Sequence, residues 1–354
     1  MNRLENPLYM EDVENVLSLS LDWEKIKNKS ILIAGATGLI GTFLIDVLMC
    51  GNATRDFGCK IVAIGRNRTR ADDRFGKYML DSDFSFYEAD INRGILDLDE
   101  KEIDIIIHAA SNTHPVAYAT DPIGTITTNV LGTHHLLEFA KLCKCKKFVF
   151  LSTVEVYGEN RGDVEYFTEE YCGYIDCNTL RAGYPESKRV GESLCQAYKK
   201  QYDIELVIPR LARTYGPTMI LSDTKAISQF IKKGIAKEDI VLKSEGTQFY
   251  SYNYVADAIT AILYCVFNGE SGQAYNVADE TMDIVLKDLA AIIAKFAGTN
   301  VVFELPDQTE KAGYSKATKA VMSGEKLQQM GWKPMYRMQE GINRTLRILG
   351  EMEK

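Results

Sequence analysis

Residues 31–41 read ILIAGATGLIG, an apolar run from Ile31 to Ala34 followed by glycines at 35, 38 and 41. The run suits a strand, and Leu39 and Ile40 open the helix that follows it. Gly35 permits the tight turn between them, Gly38 lets the backbone approach a pyrophosphate, and Gly41 lets the helix pack close to the strand. The helix start, from Thr37 to Gly41, offers free N–H groups and the positive end of its dipole to phosphates. At a strand-to-helix junction, this glycine spacing predicts a dinucleotide-binding turn.

Outward from the turn, the same rhythm repeats. Apolar runs recur at SILIAG, KIVAIG, FSFYEAD, IDIIIHAA, KKFVFLST and IELVIPR, with helical stretches such as LIGTFLIDVLMC and TNVLGTHHLLEFAKL between most of them. Short apolar runs separated by helices predict strands buried on both faces of a parallel sheet. The expected fold is α/β, a Rossmann-type doubly wound parallel sheet with a smaller, interleaved C-terminal substrate-binding part. Residues 1–29 are read as an N-terminal extension holding a short helix, Glu11 to Ser20. Residues 30–212 form the dinucleotide-binding domain and 213–354 mainly the substrate-binding part. In the latter a helix is expected near Ser222–Lys233, a short strand at DIVLK and an apolar helix from Asp257. AYNVAD should return a strand to the main sheet, and the tail reads as helix, strand and helix.

Composition excludes several classes. A net charge of −8 over 354 residues argues against a nucleic-acid polymer or an anionic membrane as partner. The opening MNRLENPLYMEDVENV lacks the apolar core of a signal peptide, and VADAITAILYCVF is too short to span a bilayer and carries Asp257. The eight cysteines include no C-x-x-C pair. His108, His114, His134 and His135 show no zinc-like grouping with them, so no metal site is expected. These features predict a cytoplasmic protein with reduced thiols. A phosphorylated small-molecule substrate needs only a local positive site.

The second strand bears on cofactor choice. An acidic residue near its end would serve the ribose hydroxyls of NAD; here stand Gly65, Arg66 and Arg68. Arg66 suits a 2′-phosphate, which favours NADP slightly over NAD. Asp90 and Ile91, after the third strand, are candidate adenine contacts.

Farther along, HAAS at 108–111, TNVLGT at 128–133, LSTVEVYG at 151–158 and Tyr184-x-x-x-Lys188 follow the glycine turn in order. With them the chain, over roughly residues 30 to 335, resembles the extended short-chain dehydrogenase/reductases of the nucleotide-sugar epimerase/dehydratase type. It looks nearest to UDP-glucuronate decarboxylases and dTDP-glucose 4,6-dehydratases. The resemblance implies an NAD(P)-dependent enzyme acting on a nucleotide sugar, and a homodimer built on helices around Gly124–Lys141 and Glu186–Tyr202. It implies Thr153, Tyr184 and Lys188 as catalytic groups, with Glu155 moving a second proton. Ala109, Ala110, Ser111 and Asn129 would line the cofactor, beside Tyr184 and Lys188. Thr113, Thr153, Glu155, Arg181, Arg213 and Tyr250 would meet substrate. The chemistry agrees: a free tyrosine ionises near pH 10, so a general base at neutral pH needs a nearby cation such as Lys188. Pro185 suits the first helical turn and leaves Tyr184 at the cap.

Three departures set this chain apart. Val154 stands where the dehydratases carry an acidic residue. Arg213 stands where asparagine is usual, and Tyr250 where arginine is usual, which predicts a rearranged grip on a substrate phosphate. The expected activity is epimerisation, dehydration or decarboxylation after hydride removal, with Tyr184 as base. The alternatives are an NADPH-dependent keto-sugar reductase and a dinucleotide-sensing protein without turnover.

Overall fold

The computed structural model describes residues 2–100, 102–113, 115–220, 222–304 and 317–353; His114 therefore lies outside the described residues. Its principal sheet contains β1 (Ser30–Ala34), β2 (Lys60–Gly65), β3 (Phe84–Glu88), β4 (Ile105–His108), β5 (Lys147–Phe150), β6 (Ser152–Thr153) and β7 (Leu206–Leu211). The next strands are β8 (Arg213–Tyr215), β9 (Ile240–Leu242), β10 (Phe249–Tyr254), β11 (Ala274–Val277), β12 (Asp283–Val285), β13 (Val301–Phe303) and β14 (Lys319–Ala320). The spatial order is β3-β2-β1-β4-β5-β7-β11, every pairing parallel, with β6 beside β7. AYNVAD does return a strand, β11, to this sheet. The order reverses between β1 and β4, where open α/β sheets leave a crevice at the strands' carboxyl ends.

Alternation explains why these runs pair. Ile31, Ile33, Ile61, Ala63, Ile105 and Ile107 enter one core, while Leu32, Ala34, Val62, Ile64 and Ile106 enter the other. Successive strand residues face opposite sides, so a sheet covered twice needs apolar residues at every position. The helices are α1 (Pro7–Leu17), α2 (Leu39–Arg55), α3 (Arg68–Phe75), α4 (Pro115–Thr120), α5 (Pro122–Leu142), α6 (Gly183–Tyr202), α7 (Ala226–Ile235), α8 (Val255–Asn268) and α9 (Leu286–Ala297). Among the described residues, Glu325–Gln329 and Met338–Met352 follow. α1, α2 and α8 pack together on one side, and α5 lies against α6. Outside the main sheet, β10 pairs with β12, β14 and β8, and β9 with β13.

Several boundaries differ from the sequence expectations. α1 begins at Pro7, before the expected Glu11, because the Asn6 side chain accepts from the N–H groups of Leu8 and Tyr9. α7 begins at Ala226 after Asp223 takes the Lys225 N–H. The sequence reading missed the helix Met338–Met352, whose Met338, Ile342, Thr345 and Leu349 are buried at helical spacing. The N-terminal residues are tied down twice. Arg3 grips Asp46 of α2 through two hydrogen bonds, at 2.6 and 2.8 Å, and Asp12 pairs with Arg344 at 2.6 Å. No helix among the described residues is long and apolar enough to cross a membrane.

Candidate active site

Gly35, at φ +85°, places its Cα so close to the loop after β4 that an added Cβ would lie 2.6 Å from the Ala109 carbonyl carbon and the Ala110 nitrogen. A Cβ at Gly41 would meet the Gly35 carbonyl oxygen at 2.5 Å. At Gly38 it would meet only that oxygen, at 3.2 Å. Gly38 is the N-cap of α2 and no side chain caps the helix, so the first N–H groups, on Leu39, Ile40 and Gly41, have no intrahelical acceptor. Thr37 is buried beside them. These residues fit a dinucleotide pyrophosphate: the cradle is open only because side chains are missing, and its donors are free.

At the end of β2, Arg66 is exposed and donates to Asn112 at 3.2 Å. Asp90 caps a short turn by accepting from the Asn92 N–H. The Ile91 side chain is buried in the core, so only its backbone faces outward, and its carbonyl meets the His135 ring at 2.7 Å. Ala109, Ala110 and Ser111 follow β4. Ser111 donates to Asn129 at 2.7 Å, and Asn129 donates to Ser187 at 2.9 Å. Asn129 thus bridges the β4 loop to α6 through two hydroxyls.

Tyr184 sits inside the first turn of α6, whose N-cap is Ala182 and not Tyr184 as the sequence suggested. Pro185 costs nothing there, since its missing N–H would have no helical partner. Tyr184 is 5% exposed, with the Tyr118 ring stacked on it at 4.8 Å. Burial raises its pKa, as does the charge of Glu155, while hydrogen bonds from Thr153 and Ser111 oppose the rise. Lys188, one turn on, donates to the Leu151 carbonyl at 2.8 Å and lies 4.6 Å from the Phe150 ring centre. Burial lowers its pKa to about 8.

Glu155 is no solvated strand end. Its carboxylate receives Arg181 at 2.7 Å, and Arg213 approaches to 4.0 Å. The Arg213 guanidinium lies over the Tyr250 ring at 3.5 Å, and the Tyr250 hydroxyl donates to the Ala317 carbonyl. Arg181 lies over the Tyr118 ring. Nε and Nη1 of Arg181 and Nη1 of Arg213 are buried without a hydrogen-bond partner. Thr113 accepts from Lys225 at 3.1 Å. Sequence reasoning missed Tyr118 and Lys225; neither belongs to a spacing pattern, and only the fold brings them to the cleft. Among the described residues no group of three His, Cys, Asp or Glu side chains is placed to hold a metal ion.

The chain is similar along most of its length to characterised proteins. It is 29% identical over 319 residues to UDP-glucuronic acid decarboxylase 6 of Arabidopsis thaliana, covering 89% of this chain and 87% of that protein. With UDP-glucuronic acid decarboxylase 1 of Xenopus tropicalis it shares 29% over 318 residues, covering 90% and 71%. Its fold matches UDP-glucuronic acid 4-epimerase from Bacillus cereus, solved with UDP-glucuronic acid and NAD, at a TM-score of 0.76 and 22% identity, covering 91% and 99%. It also matches dTDP-glucose 4,6-dehydratase from Streptomyces venezuelae, at 0.76 and 22%, covering 91% and 97%. Residues 31–278 match the model of one protein family, from the glycine turn through β11. The chain belongs to the NAD dependent epimerase/dehydratase family.

Proposed function

We propose that the chain oxidises a secondary alcohol of a nucleotide-linked sugar, with Tyr184 accepting the hydroxyl proton, and that this sugar carries a carboxylate on the carbon next to the one oxidised. One observation carries the reading. Tyr184, flanked by the hydroxyls of Thr153 and Ser111, adjoins a cluster in which two arginines share one carboxylate and three guanidinium nitrogens lack an acceptor. Each buried donor left unpaired costs about 1–3 kcal/mol. A substrate carboxylate offers two acceptor oxygens to such donors. The Glu155 N–H donates to Thr153 Oγ1 at 3.4 Å, so the arginines belong to the sugar end of the cleft. For that reason the anion proposed for Arg213 is the sugar's own acid and not the diphosphate expected from sequence.

The glycine turn, the Ala109–Ser111 segment and Lys188 would hold the dinucleotide, and Arg66 would meet a 2′-phosphate. When bound, its oxidised nicotinamide supplies a hydride acceptor and a positive ring charge. Thr153 orients the substrate hydroxyl, and Tyr184 takes its proton. The ketone that results makes the neighbouring carboxylate a β-keto acid. Loss of carbon dioxide leaves the bonding pair as an enolate, whose oxygen accepts from the protonated Tyr184. Arg181 and Arg213 orient the departing group. Dehydration fits less well, because Val154 is buried and offers no acid to expel water.

Mass spectrometry of the protein with UDP-glucuronic acid or UDP-glucose, and NAD or NADP, tests the reading. Carbon dioxide should be lost from the uronate, and UDP-glucose should be left unchanged. Tyr184→Phe should keep the fold and lower turnover by about 10²–10⁴-fold. Equal turnover of both sugars would sink the carboxylate assignment, and an active Tyr184→Phe would remove Tyr184 as base.

A further inference from the structure

Behind Thr153 and Lys188 lies a part-buried polar network that the chemistry above does not use. Glu192, on α6 one turn beyond Lys188, accepts at Oε1 from the Ser152 hydroxyl at 2.6 Å and from Arg210 Nε at 3.0 Å. Its Oε2 accepts from Arg210 Nη2 at 2.6 Å. Arg210 spends its remaining nitrogen on the Tyr157 hydroxyl at 2.9 Å and the Glu169 carbonyl at 2.8 Å. Tyr157 donates onward to Asn276 of β11 at 2.5 Å. Ser152 and Arg210 are register partners between β6 and β7, as are Thr153 and Leu211.

We propose that Glu192 is a positioning residue: through Ser152 and Arg210 it fixes the strand that carries Thr153 against the helix that carries Tyr184 and Lys188. The proposal rests on the reading of Thr153 and Tyr184 as the reacting hydroxyl pair. β6 is two residues long and, among the described residues, pairs only with β7. Its own ladder is therefore a weak guide for Thr153, and the Ser152 hydroxyl supplies the link across to α6. A part-buried ion pair adds little net stability. Its worth here is geometric: the bidentate fork fixes both partners in orientation. The network also spans β6, β7, β11 and α6, the four elements that meet at this end of the sheet.

Glu192 has a second, separable effect. The groups facing Lys188 are His108 from β4 and Cys195 and Glu192 from its own helix. His108 and Cys195 are held neutral by burial, so Glu192 is the anion that favours the charged lysine. Removing that charge should draw the lysine's titration lower still.

The test compares Ser152→Ala, Ser152→Thr and Glu192→Gln, each as the full chain. Crystal structures with NAD bound give the Thr153–Tyr184 geometry, and UDP-glucuronic acid turnover gives kinetics. Ser152→Ala should displace Thr153 from Tyr184 and lower kcat about tenfold or more, with KM within about twofold. Ser152→Thr, which restores the hydroxyl, should recover kcat. Glu192→Gln should show the same kcat loss and move the alkaline fall of kcat/KM to lower pH, a shift Ser152→Ala lacks. The proposal is overturned if Thr153 stays in place in Ser152→Ala, or if the kcat losses merely follow melting temperature without rescue by threonine. An active Tyr184→Phe would instead defeat the underlying reading, so the two failures are told apart.

Discussion

Burial sets opposite demands on Tyr184 and Lys188. It raises the tyrosine and lowers the lysine, so burial works against the charged form of each. The lysine's folded value, about 8, lies below its ordinary 10.5. Between those values the unfolded chain binds more protons than the native state, so this group's contribution to stability rises with pH across that window. Below about pH 8 the native protein carries the full penalty of a buried ammonium, of order 1–3 kcal/mol. Lys188→Met removes the penalty and also forfeits the hydrogen bond to Leu151, worth about 1 kcal/mol. Thermal melts of the cofactor-free proteins should show the variant most favoured relative to its parent near pH 7. That advantage should shrink as pH approaches about 10.5. A difference in melting temperature that is flat with pH would mean that Lys188 is not charged against burial at all.

The glycine turn and helix α2 divide folding from binding. A methyl at Gly41 would run into backbone at 2.5 Å, and backbone cannot step aside, so Gly41→Ala should destabilise by about 1–3 kcal/mol. A methyl at Gly38 meets one oxygen at 3.2 Å and otherwise points toward the cradle. Gly38→Ala should therefore melt near the parent and lose dinucleotide affinity about tenfold or more, measured by calorimetry. Run with both dinucleotides, the same titration should give tighter binding of NADP than NAD to the parent, from Arg66. Equal affinities would leave Arg66 a solvated side chain. These elements were legible in the sequence because local rules write them: glycine spacing at a strand end, and apolar runs that two-sided burial requires. The role of Tyr184 and Lys188 was implied only by the resemblance, but their one-turn spacing on a helix was legible for the same reason. The helix Met338–Met352 was not, because Gly341 and Thr345 occupy part of its buried seam and break the apolar stripe. Glu192 and Arg210 were hidden differently. Each is a charged residue that reads as a solvated face, and only the fold, 18 positions apart in sequence, makes them partners.

At the scale of the whole molecule, the unfinished surface is the outer side of α5 and α6. Ile123, Leu131 and Leu142 on α5 and Val190 and Tyr202 on α6 are each more than two-fifths exposed. The two helices pack along each other, so residues exposed on both can contribute to one face. Water against that much apolar side chain is unfavourable by about 25 cal/mol per Å², and a face of this kind marks an interaction site. A second copy of the chain is the expected occupant, because two helices from each protomer close into a four-helix arrangement under two-fold symmetry. α6 begins with Gly183 and carries Tyr184 and Lys188 on its inner side, so pairing would also brace the catalytic helix. Sedimentation velocity should show a dimer for the parent. Leu131→Glu with Val190→Glu, which buries like charges against each other across the two-fold axis, should give a monomer. The parent's melting temperature should rise with protein concentration, as subunit linkage requires, and the double variant's should not. A parent that sediments as a monomer at every concentration, with a concentration-independent melt, would leave the α5–α6 face to a different partner.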